Sequence, residues 1–270
     1  MKAKKSNPFR RLAALLVRVT GSLTGFNPVK LFYGIRGILP FLADARRYSR
    51  MSPRPSMRIQ WRFLFPIFDE RFEAAGSARG QYFHQDLWAA RLIYKRSPQD
   101  HIDIGSRIDG FIAHLLTFRS VTIIDIRDMP HLVSGLSFVR DDATKLSGFG
   151  DNSIDSLSSL HVAEHFGLGR YSDPVDPEAT FLFMQSLQRV LRPGGRLYFS
   201  VPIGRERVEF NAHRIFDVKT ILSTFGGLEL VSFSYIGDDG DLYEGASPDS
   251  VPPMNLGCGL FEFTKSAQMA

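Results

Sequence analysis

Cysteine is almost missing: Cys258 stands alone among 270 residues. That excludes an internal disulfide framework and any metal cage built from cysteines only, and a reducing cytoplasm is the expected compartment. Long apolar runs are missing too. The longest, 12–17 and 63–68 with its Pro66, fall far short of the ~20 residues a spanning helix needs. No small-residue cleavage site follows a compact apolar centre, so a secretory leader is not expected. Acid is scarce at one end, where residues 1–62 carry 14 Lys and Arg against a single acid, Asp44. The other 208 residues hold 19 basic and 27 acidic side chains. The overall +5 is therefore the property of an arm on an acidic body, and the two parts call for different partners.

What is present suits a folded core, with 44% hydrophobic and 23% charged residues. The reading gives two regions, a basic amphipathic N-terminal arm over 1–62 and an α/β domain over 63–270. In the arm, Leu12, Leu15, Leu16 and Val19 recur at helical spacing among Arg10, Arg11 and Arg18, and 31–48 is a second such segment. Gly21, Gly25, Pro28, Gly34, Gly37 and Pro40 interrupt both. Basic stretches carrying Phe9, Phe26, Phe32, Tyr33 and Phe41 suit a helix lying on an anionic leaflet, so peripheral attachment at the inner membrane face is expected. Nucleic acid is the less favoured partner, and packing of the arm on the main domain is the plainest reading. Residues 52–56, Ser-Pro-Arg-Pro-Ser, read as a linker.

From 81 onward, helical and strand patterns alternate. Helices are expected over 82–95, 108–118, 178–191 and 218–225, and strands over 101–104, 121–126, 136–139, 154–160, 196–201, 228–235 and 259–263. Alternation of this kind makes a mostly parallel sheet covered on both faces, a doubly wound Rossmann-like fold. Such sheets bind ligands beyond the carboxyl ends of their strands. Three acids stand there: Asp103 before the turn Gly105-Ser106, Asp125 after the second strand, and Asp142-Ala143 after the third. Together they describe a nucleoside pocket, although each alone is more often a turn former or helix cap.

Asp103-Ile104-Gly105, Asp125, Asp142-Ala143, the run Asn152-Ser153-Ile154-Asp155 into Ser158-Ser159-Leu160-His161-Val162-Ala163-Glu164-His165, and Leu191-Arg192-Pro193-Gly194-Gly195 resemble, in order and spacing, the class I S-adenosylmethionine-dependent methyltransferases over about residues 81–240. The stretch 202–214 is similar to a bacterial group of uncharacterised function within that superfamily. The resemblance implies a seven-stranded sheet with its last strand antiparallel between the fifth and sixth, and S-adenosylmethionine as cofactor. It places Asp103, Gly105 and Ser106 near the methionine part, Asp125 on the ribose, Asp142 and Ala143 at adenine, and Leu160 and His161 beside sulfonium and acceptor. His161 is the first candidate for a base and His213 the second. Methyl transfer is the function implied, and the acceptor expected from the polar mouth is small and polar or a saccharide, free or lipid-linked. The family's usual second and third loop glycines are replaced by Arg107 and Asp109, which keeps open a catalytically silent module recruited to a membrane or an enzyme assembly. A dinucleotide oxidoreductase fits less well, because G-x-G-x-x-G is not met at Arg107. His161, Glu164 and His165 also match the H-x-x-E-H spacing of inverted zinc peptidases; a strand delivering His161 speaks against it, and no metal is expected. The loop 167–177 is long enough to cover a ligand. The cluster Arg205, Glu206, Arg207, Glu209, Asn211, His213 and Arg214 suits a highly polar acceptor. Oligomeric state and acceptor atom are not legible.

Overall fold

The computed structural model describes residues 19, 21–51, 54–68, 70–171 and 173–266, and the expected helix around Leu12, Leu15 and Leu16 lies outside them. The chain divides into two compact units, Met1–Ser77 and Ala78–Ala270. The first unit extends beyond residue 62 because Phe68 and Phe72 pack against Phe41 and Tyr33, at ring separations of 5.4 and 5.7 Å.

Helix α1 (Pro28–Arg50) opens where the Asn27 side chain accepts hydrogen bonds from the Val29 and Lys30 amides, with Pro28 at the first helical position. It runs through Gly34, Gly37 and Pro40, which were expected to interrupt it. Gly37 lies against the Phe68 backbone so closely that any Cβ would collide with it. Asp44 pairs with Arg71. The opposite face of α1 presents Leu31, Phe32, Ile35, Ile38, Leu39 and Leu42, all exposed.

The second unit is built on one eight-stranded sheet in the order β3-β2-β1-β4-β5-β10-β8-β9. Its strands are β1 (Ile102–Ile104), β2 (Val121–Asp125), β3 (Leu136–Arg140), β4 (Ile154–Leu160), β5 (Leu191–Ile203), β8 (Glu229–Ile236), β9 (Leu242–Tyr243) and β10 (Gly257–Thr264). Strands β1 to β5 pair in parallel, and β10 inserts antiparallel between β5 and β8. The expected seven strands become eight because the two-residue β9 adds an antiparallel edge to β8. A separate hairpin, β6 (Arg207–Glu209) with β7 (His213–Ile215), was not foreseen, since two three-residue strands carry too little alternation to register.

Period-two alternation feeds two cores. Leu197, Phe199 and Val201 of β5, with Phe261 and Phe263 of β10, face helices α4 (Ala179–Val190) and α5 (Val218–Thr224) through Phe183, Met184, Leu187 and Ile221. Tyr198 and Leu260 point the other way, to Trp88 and Ile93 of α2 (Gln81–Arg96) and Leu115 of α3 (Ala113–Leu116). Both faces are covered, as a parallel sheet requires. Helix α2 ends at Ser97, left-handed at φ 49°, ahead of Pro98. The expected helix 108–118 is instead a π-type turn over Ile108–Ile112 followed by the short α3. Asp86 of α2 presses into this turn, and a Cβ at Gly110 would come within 2.3 Å of its Oδ2.

Candidate functional site

The strand order reverses between β1 and β4, so their carboxyl ends diverge and leave a cleft. Two adjoining cavities open there, of about 390 and 310 Å3, and they share Gly105, His161, His165 and Tyr171.

The larger cavity is walled by Gly105 after β1, Asp125 and Arg127 after β2, Asp142 through Lys145 after β3, and Tyr171 with Asp173 from the following loop. Gly105 sits at φ 65°, donates its amide to the Ile124 carbonyl, and leaves only 3.0 Å between a hypothetical Cβ and Val162 Cγ1. A side chain there would occupy the cleft mouth. Asp103 is not on the cavity wall. It is fully buried beneath the turn, where Oδ1 accepts from Ser106 Oγ (2.7 Å) and Ser158 Oγ (2.5 Å) and Oδ2 from the Ser106 amide (2.9 Å). Burial raises its pKa to about 6 against those hydrogen bonds. Ser106, also buried, passes the order on, since its Oγ accepts from the Leu160 amide at 2.9 Å and so ties β1 to the end of β4.

Asp125 reaches the cavity but is engaged. Arg127 holds both of its oxygens, with Nε at 2.9 Å from Oδ1 and Nη2 at 2.6 Å from Oδ2, and lies 4.6 Å over the Tyr171 ring. Burial opposes ionisation of Asp125, yet the hydrogen bonds from Arg127 win and hold its pKa below the ordinary value. Asp142 lines the same cavity and turns Oδ1 to the Thr144 amide and hydroxyl, with Ala143 beside it.

The smaller cavity lies under α2. His161 follows β4 in the left-handed region at φ 55°, a conformation that is rare away from glycine and is found at functional turns. Its Nδ1 lies 2.6 Å from Gln85 Oε1 and its Nε2 3.1 Å from Gln81 Oε1, with the Tyr82 ring 5.1 Å away and tilted by 44°. Gln85 Oε1 also accepts from Ser200 Oγ at 2.8 Å, and Gln81 Nε2 donates to the Leu256 carbonyl at 2.9 Å, so each ring nitrogen faces an acceptor oxygen and the single imidazole proton serves one of them. Burial lowers the His161 pKa to about 3, leaving the ring neutral with one nitrogen unprotonated. His213, on β7, lines this cavity too, 3.6 Å from Glu209 Oε2. Leu160 is buried and forms part of the floor.

His165 does not cap a helix. Its Nδ1 donates to the Ala212 carbonyl of the β6–β7 hairpin at 2.7 Å. Residues Ala163–His165 form a single 3-10 turn, so the two imidazoles of the H-x-x-E-H run are not carried on one helix. Among the described residues no group of three His, Cys, Asp or Glu is placed to hold a metal ion. Of the polar cluster 205–214, Arg207 is paired to Glu209, and Arg214 is buried with its guanidinium on the Phe166 and Pro177 carbonyls. The loop 167–177 is thus pinned at both ends, and Asp173 accepts from the Gly167 and Tyr171 amides within it. Gly167 is indispensable to that closure: it sits at φ 71°, and a Cβ would come within 1.9 Å of the Asp176 carbonyl oxygen. Gly167→Ala is expected to lower stability by about 2–4 kcal/mol in urea unfolding and to expose the loop to proteolysis.

Four residues at these cavities were not assigned to them from the sequence. Gln81 and Gln85 stand four apart on a predicted helix, a spacing that puts two amides on one face. Tyr171 lies between Arg127 and Arg170, at 4.6 and 5.2 Å. Glu164, named from the sequence only as part of the H-x-x-E-H run, is 1% exposed.

The architecture is a doubly wound Rossmann-like fold. A family model described as "Caenorhabditis protein of unknown function, DUF268" matches residues 114–244, just under half of the chain. The [4+2]-cyclase SpnF is similar in structure, with a TM-score of 0.51 at 14% identity over 72% of this chain and 86% of that one. The 1,6-didemethyltoxoflavin-N1-methyltransferase of Burkholderia thailandensis, solved with S-adenosylhomocysteine, gives 0.48 at 16% identity over 68% and 79%. The N-methyltransferase NodS of Bradyrhizobium japonicum gives 0.46 at 17% identity over 70% and 89%. No curated protein matches the sequence.

Proposed function

We propose that this protein binds S-adenosylmethionine in the larger cavity and transfers its methyl group to a small polar acceptor in the smaller one. The observation that carries the reading is the placement of Gly105, Asp125 and Asp142-Ala143 around a single cleft at the switch point of the sheet. A cavity of about 390 Å3 suits a ligand of nucleoside size. The Gly105 turn supplies room that a side chain would fill, Asp125 supplies a carboxylate for ribose hydroxyls once Arg127 swings away, and Asp142 with Ala143 supplies a polar edge. The cofactor supplies an electrophilic methyl group.

The chain then has to hold an acceptor in line and take up its proton. Positioning carries most of the rate in such a displacement. His161 serves the second task in the tautomer that donates from Nδ1 to Gln85, the shorter of its two contacts at 2.6 Å, which leaves Nε2 as the basic atom once the Gln81 amide turns aside. Gln81 faces that atom and yields it to an acceptor hydroxyl or amine. The low basicity imposed by burial favours a proton that leaves as the methyl arrives over one removed beforehand. Calorimetric titration with S-adenosylhomocysteine tests the reading: micromolar binding is expected, and silence at millimolar ligand would leave a catalytically silent module in its place.

The arm is assigned to an anionic membrane surface. Among the described residues no helix is long and apolar enough to cross a bilayer, but α1 exposes a stripe from Leu31 to Leu42 beside Arg36, Arg46, Arg47 and Arg50. Apolar insertion and attraction to anionic lipid act together in such helices. Ile35→Glu with Leu39→Glu is expected to reduce cosedimentation with phosphatidylserine vesicles at least tenfold while leaving the far-UV spectrum unchanged. Equal partitioning of variant and wild type would remove the membrane assignment.

A further inference from the structure

Glu164 is the odd residue of the smaller cavity. It lines the wall, is 1% exposed, and its Oε2 has no hydrogen-bond partner. His165 Nε2 is 3.7 Å from Oε1, beyond hydrogen-bonding reach, and the His165 proton is committed through Nδ1 to Ala212. Among the described residues no arginine or lysine forms an ion pair with Glu164. A buried carboxyl with no counter-cation is stable only with its proton on, which makes it a hydrogen-bond donor awaiting an acceptor atom. The rim supplies cations: Arg170, whose guanidinium reaches the Ala212 carbonyl, the edge of the His165 ring at 3.4 Å and the Tyr171 face, none of them an anion, and Arg107, tied to Asp109 and lying 5.3 Å over the Tyr82 ring. The histidines around the cavity are neutral, since burial lowers the pKa of His161, His165 and His213 alike.

We propose that the smaller cavity recognises an anionic group, a carboxylate or a phosphate ester, on the methyl acceptor, with Glu164 Oε2 donating to one of its oxygens and Arg170 pairing with its charge. This rests on the methyltransferase reading and narrows its acceptor from polar to acid-bearing. An ammonium acceptor would meet two guanidiniums and a protonated carboxyl, and a neutral sugar would leave Arg170 without a counter-charge.

The groups facing Glu164 are His165 on its own turn, Tyr82 of α2, Cys258 of β10, His161 after β4, His213 of β7 and Arg170 of the loop. Burial raises the Glu164 pKa to about 8, while the positive field of Arg170 lowers it slightly. Anion binding is therefore expected to weaken as pH rises through 8, when the donor becomes a carboxylate.

The test is calorimetry on the full chain, first with S-adenosylhomocysteine, then with inorganic phosphate and with succinate on the saturated protein. Stoichiometric binding of one of them is expected at pH 7, weakened at least tenfold in Arg170→Ala and in Glu164→Ala. Which probe binds separates the phosphate ester from the carboxylate. Glu164→Gln, which keeps a donor but cannot ionise, should retain affinity at pH 7 and lose the decline above pH 8 that the wild type shows. A wild type that binds S-adenosylhomocysteine but neither anion overturns the anionic acceptor and leaves the methyltransferase reading standing. Anion binding indifferent to both Arg170→Ala and Glu164→Ala also overturns it. A protein that ignores S-adenosylhomocysteine overturns the reading beneath.

Discussion

Asp125→Ala is expected to weaken S-adenosylhomocysteine binding by about 30-fold, whereas Arg127→Ala is expected to change it by less than threefold in either direction. A carboxylate accepting from two ribose hydroxyls makes two charge-assisted hydrogen bonds, each worth about 1.5–3 kcal/mol. Part of that is offset in this protein, because Asp125 gives up its bidentate pair with Arg127 before it can accept a ligand. The pair is half exposed on the arginine side, so solvent screening weakens it and opening it costs correspondingly little. Removing the arginine abolishes the competition and also its stacking on Tyr171, two small effects of opposite sign. Calorimetry on the two variants reads the difference directly. Equal losses would mean that Arg127, and not the acid, carries the contact with ligand. Unchanged affinity in Asp125→Ala would move the nucleoside away from the end of β2 altogether.

Much of the sheet was legible because buried parallel strands write themselves as short β-branched runs between glycine and proline punctuation. β4 falls over Ile154–Leu160 as expected, and α2 and α4 lie within a residue or two of theirs. The placement of Asp125 and Asp142 on one cleft followed from strand ends alone. Asp103 shows where that reasoning stops. A strand-end acid can face a ligand or turn under the chain to hold the next turn, and the deciding partners, Ser106 and Ser158, are 3 and 55 residues away. Glu164 shows the same limit from the other side. Its sequence neighbours are unremarkable for a surface turn, and the packing of α4, β5 and β7 on the 3-10 turn buries it. Packing of distant segments decides burial, and no local period records it. The π-type turn at 108–112 was missed because its cause is Asp86 of a different helix.

Glu164→Gln is expected to stabilise the second unit by about 4 kcal/mol at pH 8 and by almost nothing at pH 4. The carboxyl has an ordinary pKa of 4.5 when the chain is unfolded and about 8 when folded, the rise coming first from burial. Below 4.5 both states carry the proton and the side chain contributes no pH dependence. Between 4.5 and 8 the unfolded chain releases the proton while the folded chain retains it, so the folded state binds more protons and the wild type loses stability as pH rises, at up to about 1.4 kcal/mol per pH unit. Above 8 both states are ionised and the loss levels off. An amide of the same shape keeps the neutral form at every pH and escapes the decline. The other buried titrating groups, His101, Asp86 and Asp103 among them, are common to both proteins and cancel in the difference. Urea unfolding of the two proteins at pH 4, 6 and 8 gives that difference, which should widen steadily between the first and last. Parallel profiles would mean that Glu164 is ionised in the folded protein at neutral pH, and a negative charge at that position would repel the anionic acceptor assigned to the cavity.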